Sequence, residues 1–536
     1  MTTEEHHEQS DAPLRPWWRC PAALLAIAAH VALSCGLAWH LNIWIDEAYT
    51  LHTTAGGVSH AMQQALYFEL QPPLYFMILS VWRFLGDSAF VARLFSILCS
   101  TSTLVVALPL SRRYLKDVRP EFVLVALALN PMLIWAAVEI RLYAFAILLS
   151  GLLLLFFYDG FLAEKSSRAA RCWYGGIAVI ALYTQYYLGF ILATNAIVLL
   201  LFRRGRALRS YLLVMIAVGV CSCPIMVFLP HQLSLHSGER FEPAIASALL
   251  MPFLRLWRYV FVTYRGGGWG RLPANALLLV SVLAVSVAVL RDRKRFSTRQ
   301  NLLLWTITGL AALSFSFVLM VVRPENVEAR HTVLLLLPAT LSAFAVAYAV
   351  GGGLAVKVAT LAMLCFSSAI LGAKYARPAK EGDWHRVVAH VMNAERAGDP
   401  IVVFSDIAAV CFEYYYRGCN VVVPIPRPED FAISSTTCYL ADSALQDEEE
   451  IEKALHAWQG QPEQMWLVSS HVSGSLGVGL NRRILEDYVR TRYRVVHSAG
   501  FHGTKVRLLR LKRPDEGPWP SKPQQPPDSA RLTQRG

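Results

Sequence analysis

The sequence predicts an α-helical integral membrane bundle of about 11 transmembrane helices, followed by a C-terminal soluble α/β domain. Three observations carry this. Hydrophobic residues make up 55% of the 536, with a mean hydropathy of +0.40. Apolar stretches of roughly twenty residues, each long enough to cross a hydrocarbon core as a helix, recur as far as Leu371. From Lys380 onward the texture changes to short alternating helix and strand patterns.

The net charge of +12 raises nucleic acid as a partner, and its distribution argues against that class. The basic residues fall in short clusters between spans: Arg112-Arg113, Lys165 to Arg171, Arg203 to Arg209 and Arg291 to Arg299. That is the pattern of cytoplasmic loops. The polar N-terminus ends in Arg15-Pro16-Trp17-Trp18-Arg19, a basic and aromatic interface anchor. No small-residue cleavage site follows the first span, which predicts a retained anchor.

Span one is Pro21 to Leu41, rising from the cytoplasm into a first outer loop, 42–88. In that loop Ser59 to Leu66 reads as an amphipathic surface helix with a serine cap. Pro72 to Leu85 is short and carries Arg83, which suits an interfacial or re-entrant helix. Span two is Ala89 to Leu110, span three Phe122 to Val138 and span four Leu142 to Tyr158. Trp173 to Tyr187 and Leu188 to Phe202 form a hairpin with Gln185 at its outer tip, and span seven is Leu212 to Pro230. An outer loop with a surface helix, Ala244 to Tyr264, carries Arg255 and Arg258, and Gly266 to Gly268 free the backbone after it. Span eight is Ala274 to Leu290 and span nine Leu302 to Val322. A turn ending in Arg330-His331 precedes span ten, Thr332 to Val350, and span eleven, Leu354 to Leu371.

The domain expectation is therefore 1–371 as the membrane domain and 372–512 as an exported open-sheet α/β domain. The Pro-rich polar tail, 513–536, reads as disordered. Ten cysteines show no spacing pattern; one pair among Cys411, Cys419 and Cys438 is open to a disulfide in an exported domain.

Chemistry points to the outer face. Asp46 and Glu47 follow span one directly, and Glu69 precedes a Pro-Pro break. Acids at a bilayer surface suit a base that deprotonates an acceptor hydroxyl, with Asp46 the candidate; the bland alternative is a solvated interface acid. Glu139 and Arg141, beside Tyr143, end span three: either a local ion pair, or an acceptor-orienting acid and a phosphate-binding cation. Arg330 opens a span on the outer side, against the positive-inside tendency, which suits a lipid-carrier phosphate or simple snorkelling. The scattered histidines give no ligand spacing. A divalent cation shared by Asp46, Glu47 and a third acid is open on residue type alone.

The motifs in order are Trp44-Ile45-Asp46-Glu47-Ala48-Tyr49, Glu69-Leu70-Gln71-Pro72-Pro73-Leu74-Tyr75 and Phe90-Val91-Ala92-Arg93. Then come Glu139-Ile140-Arg141-Leu142-Tyr143, Tyr183-Thr184-Gln185, Arg330-His331, and Glu381 to Arg386. Together they resemble the GT-C membrane glycosyltransferases, in the bacterial branch related to protein O-mannosyltransferases and aminoarabinose transferases (glycosyltransferase family 39-like). The resemblance implies inverting transfer from a polyprenyl-phosphate sugar to a lipid, glycan or protein acceptor, at the outer face of a bacterial plasma membrane. It implies Asp46 as base, supported by Glu47 or Glu69. Arg141, Arg330 and His331 would lie at the donor phosphate, and Glu139, Tyr143 and Gln185 at acceptor or sugar. Gln71 and Gln185 stand where many relatives have His, and His331 where Tyr is usual. From another class, a polytopic transporter or lipid flippase with an exported binding domain fits the same span pattern, as does a polymerase or ligase using a diphosphate carrier. Acids gathered at one membrane face, without repeat symmetry, favour surface chemistry.

Overall fold

The computed structural model describes residues 20–236, 287, 290, 298–322, 329–380, 382–432, 444–458, 461–470 and 481–513. The basic anchor ending at Arg19, the outer helix with Arg255 and Arg258, Gly266 to Gly268, nearly all of span eight, residues 323–328, Glu381, Cys438 and the tail beyond 513 lie outside them. The chain forms two compact units: through Leu41 together with Tyr49–Pro378, and Asn42–Ala48 together with the chain from Ala379.

The first unit is helical. Its elements are α1 (Pro21–His40), α2 (Ile45–Thr53, which begins in the second unit), α3 (Gly57–Tyr67), α4 (Leu74–Trp82), α5 (Ala89–Tyr114), α6 (Pro120–Ala128) and α7 (Pro131–Ala137). They continue with α8 (Tyr143–Phe157), α9 (Arg168–Thr184), α10 (Gly189–Leu201), α11 (Gly205–Met226), α12 (Leu229–His236), α13 (Arg299–Val322) and α14 (Leu336–Tyr375). Among the described residues, five helical segments are long and apolar enough to cross a membrane, and a bent pair, α6 with α7, makes up to six.

The bend falls where span three was expected to be continuous. Pro131 supplies no N–H, and the Asn130 Oδ1 caps the new start by accepting from the N–H groups of Met132 (2.9 Å) and Leu133 (3.3 Å), so the axis turns by 59°. At the other extreme, α14 runs for 40 residues, about 60 Å at 1.5 Å per residue and twice a hydrocarbon core. Gly351 and Gly352 break it, the latter at φ 59°, ψ −148°, a conformation open to glycine alone. This break separates the two segments expected as spans ten and eleven.

The surface helix of the first loop forms, but Ser59 does not cap it. Gly56 occupies the N-cap and has no side chain to make a cap bond; a Cβ there would stand 2.6 Å from the His60 ring. Within the bundle, His30 of α1 is fully buried. Its Nδ1 donates to the Ala128 carbonyl (2.8 Å), and its Nε2 accepts from the Ser100 hydroxyl (2.8 Å). Arg93 on α5, also buried, donates from Nη1 to the carbonyls of Ala38 (2.9 Å) and Leu41 (2.6 Å), satisfying the end of α1.

The second unit is a mixed five-stranded sheet between helices, in the order β2-β1-β3-β5-β4. Its strands are β1 (Ile401–Phe404), β2 (Val422–Ile425), β3 (Gln464–Ser470), β4 (Tyr493–Phe501) and β5 (Thr504–Leu511), with helices α15 (Trp384–Met392), α16 (Asp406–Tyr415), α17 (Glu448–Trp458) and α18 (Arg482–Arg492). β1 is parallel to β2 and β3, while β5 runs antiparallel to both β3 and β4. Strand alternation sends Val402, Phe404, Met465 and Leu467 into a core closed by Ile451 and Leu455 of α17 and Leu485 and Tyr488 of α18. Cys411 and Cys419 are free thiols.

Candidate active site

In the first unit, three distant stretches of sequence converge on one buried ion pair. Arg141, just before α8, donates from Nη1 to Glu69 Oε2 at 2.8 Å and to the Thr50 hydroxyl of α2 at 2.8 Å. The same hydroxyl lies 3.5 Å from Glu69 Oε1. Side-chain exposure is 8% for Arg141 and 3% for Glu69, so the pair is largely shielded from water. Thr50, absent from the sequence-predicted set, is the third member; a lone threonine in a helix carries no periodic or charge signal.

The flanks are built around this pair. Arg83 donates to the Leu51 carbonyl (2.6 Å) and to Thr54 Oγ1 (2.8 Å), holding the last turn of α2. Gln232 of α12 donates to the Leu66 carbonyl (3.1 Å) and accepts from the Tyr186 hydroxyl (3.1 Å), so the α9–α10 turn is tied to the chain just ahead of Glu69. Gln185 opens that turn. It is buried, and its Oε1 has no hydrogen-bond partner among the described residues. Glu139 is buried, its backbone carbonyl accepting from Ser96 Oγ at 2.6 Å. Tyr143 stacks on Trp135 with ring centroids 4.9 Å apart. Arg330 and His331 fall in a 3-10 turn, Ala329–Leu335, that packs against α8 and against the turn Tyr186–Leu188.

Asp46 and Glu47 belong to the second unit, in the first turn of α2 rather than in an open loop. Asp46 is half-buried. Glu47 is fully buried, and its Oε1 pairs with Lys380 Nζ at 2.8 Å, Lys380 being 10% exposed. No sequence reasoning had singled out Lys380. His52, half-buried further along α2, has its basicity lowered by burial and by the nearby His60. Among the described residues, no three His, Cys, Asp or Glu side chains gather as a metal site.

These elements define a class first: a polytopic helical membrane protein with a mixed α/β domain at its C-terminal end. No family model matches the sequence, and no curated protein matches it. Solved structures narrow the fold. ArnT from Cupriavidus metallidurans, bound to undecaprenyl phosphate, is similar with a TM-score of 0.53 at 15% identity, over 92% of this chain and 98% of that one. The apo state of ArnT gives 0.53 at 16% identity, over 90% and 97%. The chain therefore shares the fold of that protein over nearly all of both lengths.

Proposed function

We propose that the chain is an integral membrane glycosyltransferase that moves a sugar from a polyprenyl-phosphate donor to a lipid, glycan or protein acceptor at the outer face, with inversion. The observation that carries the proposal is the buried Arg141–Glu69 pair with Thr50. A buried arginine, oriented by a carboxylate and a hydroxyl, suits a leaving phosphate whose charge grows as its bond to sugar breaks. The fold shared with a protein solved bound to undecaprenyl phosphate supports the same carrier.

In the proposed step, Asp46 takes the proton of the acceptor hydroxyl. The acceptor oxygen attacks the anomeric carbon from the face opposite the phosphate. The carbon–oxygen bond to phosphate breaks, and its electron pair leaves with polyprenyl phosphate. Arg141, with Arg330 and His331, holds that phosphate; Glu139, Tyr143 and Gln185 contact acceptor or sugar. In this reading Glu69 orients Arg141, Glu47 pairs with Lys380, and the half-buried Asp46 is the base that the motif resemblance implies. The reading carries with it about 11 crossings. It also takes 1–371 as the catalytic membrane domain and 372–512 as an extracytoplasmic domain.

The test is Asp46→Asn in liposomes supplied with undecaprenyl-phosphate-linked sugars, scored by released undecaprenyl phosphate. Loss of a positioned base predicts a fall in kcat of about 10²–10⁴-fold. Unchanged turnover removes Asp46 as base. Lipid movement across the bilayer without release of undecaprenyl phosphate replaces the transferase reading with the flippase one.

A further inference from the structure

We infer that Lys380 and Tyr415, both in the second unit, are positioning residues for Asp46. The inference rests on the transferase reading and adds to it the part of the chain that sets the base.

The contacts bracket Asp46 on both sides. Before it, Asn42 Oδ1 accepts from the Lys380 backbone N–H at 2.8 Å, while Asn42 Nδ2 donates to the Ile43 carbonyl at 2.7 Å. The Ile43 N–H donates to the Tyr415 hydroxyl at 2.8 Å. Tyr415 is itself held edge-on by the His385 ring, centroids 4.3 Å apart, and by Tyr414 at 4.9 Å. After Asp46, Glu47 is pinned to the Lys380 ammonium. Lys380 thus grips the segment twice, once through its backbone and once through its side chain.

The physics follows from helix geometry. The N–H groups of Glu47 and Ala48 both bond to the Trp44 carbonyl at 3.0 Å, so the first turn of α2 starts there. Successive side chains on a helix point about 100° apart. Fixing Glu47 inward therefore fixes the rotation of the turn and the direction in which Asp46 points. A fully buried carboxylate keeps its place only while its cation stays. Lys380→Met strands Glu47, and the turn rotates or frays to rehydrate it.

The experiment compares Lys380→Met, Lys380→Arg, Tyr415→Phe and Asp46→Asn in the full chain, in liposomes with undecaprenyl-phosphate-linked sugar. Two readouts are taken: steady-state kinetics, and hydrogen exchange of amides 42–48. Lys380→Met is expected to lower kcat by about 10²-fold, the order of a 1 Å misplacement, with donor KM little changed and faster exchange in 42–48. Lys380→Arg restores most of both. Tyr415→Phe keeps the ring and removes the acceptor of the Ile43 N–H, so it lowers kcat by about tenfold even if Lys380→Met fails to fold. Wild-type kcat in Lys380→Met or Tyr415→Phe overturns the positioning role, whatever exchange does. An active Asp46→Asn sinks the base assignment instead, and faster exchange in Lys380→Met then still supports the grip on 42–48, whereas unchanged exchange removes it.

Discussion

Glu69 and Arg141 offer a separation of stability from activity that a merely structural ion pair does not give. Removing one partner of a buried pair leaves an uncompensated charge and costs about 3–5 kcal/mol. With side-chain exposures of 3% and 8%, solvent screening does little to soften this. Glu69→Ala and Arg141→Met should each lower the folded-to-unfolded ratio by roughly 10²–10⁴-fold, at 1.4 kcal/mol per decade. The double variant removes both charges together and should cost less than either single variant, giving a coupling above about 3 kcal/mol. Activity should behave otherwise. Arg141→Met, alone or paired with Glu69→Ala, loses about 10²–10³-fold in kcat, the size of one preorganised donor to developing charge. Unfolding in nanodiscs and release of undecaprenyl phosphate measure the two quantities on the same samples. A coupling below about 0.5 kcal/mol means that the two side chains are independent, and a double variant with near wild-type kcat means that Arg141 does not hold the leaving phosphate.

The remaining predictions concern single positions. Gln185→Leu removes a buried acceptor without a partner among the described residues, so thermal stability should hold or rise, while turnover falls if the amide meets substrate; a parallel loss of both refutes that role. His390 stacks on His497 with Nε2 atoms 3.2 Å apart, and burial, then the His497 charge, lowers its pKa below the usual imidazole value. Its contribution to stability is present above about pH 6.5 and lost as the pH falls below that, because the unfolded chain takes up the proton first. Hydrogen exchange in β4 of His390→Gln should therefore depend less on pH between 5 and 7. Gly352→Ala forces a Cβ into φ 59°, ψ −148° and should cost about 1–3 kcal/mol; an unfolding midpoint equal to wild type shows that the break tolerates a side chain.

The spans at Pro21–His40, Ala89–Tyr114 and Gly205–Met226 were legible because lipid imposes a length and a composition on any crossing helix. The strands and helices of the second unit were legible because their patterns switch period cleanly, as at Ile401–Phe404 and Glu448–Trp458. The Asn130-Pro131 break was written in the sequence as a turn dipeptide, yet the apolar run around it masked the signal. Ser59 misled because a serine ahead of an apolar pattern fits a cap, whereas the helix starts two residues earlier, at Gly57, with Gly56 as its N-cap. At the candidate site, Glu69 and Arg141 were visible as charges out of place. Thr50 and Lys380 were not: one is a hydroxyl without charge, the other an ordinary lysine at the start of a soluble domain. Their meaning comes from partners far away in sequence, which single-chain patterns do not report.

The imidazole of His30 has a consequence for how the bundle seats itself. Its two ring nitrogens meet partners on two different neighbouring helices, a carbonyl at the end of α6 and a hydroxyl in α5. Sliding α1 by a single turn would carry the ring about 5.4 Å from both and leave it stranded in hydrocarbon. The depth of the first helix is thus a choice among discrete seats, and one polar residue selects among them where a greasy surface alone would permit a continuum.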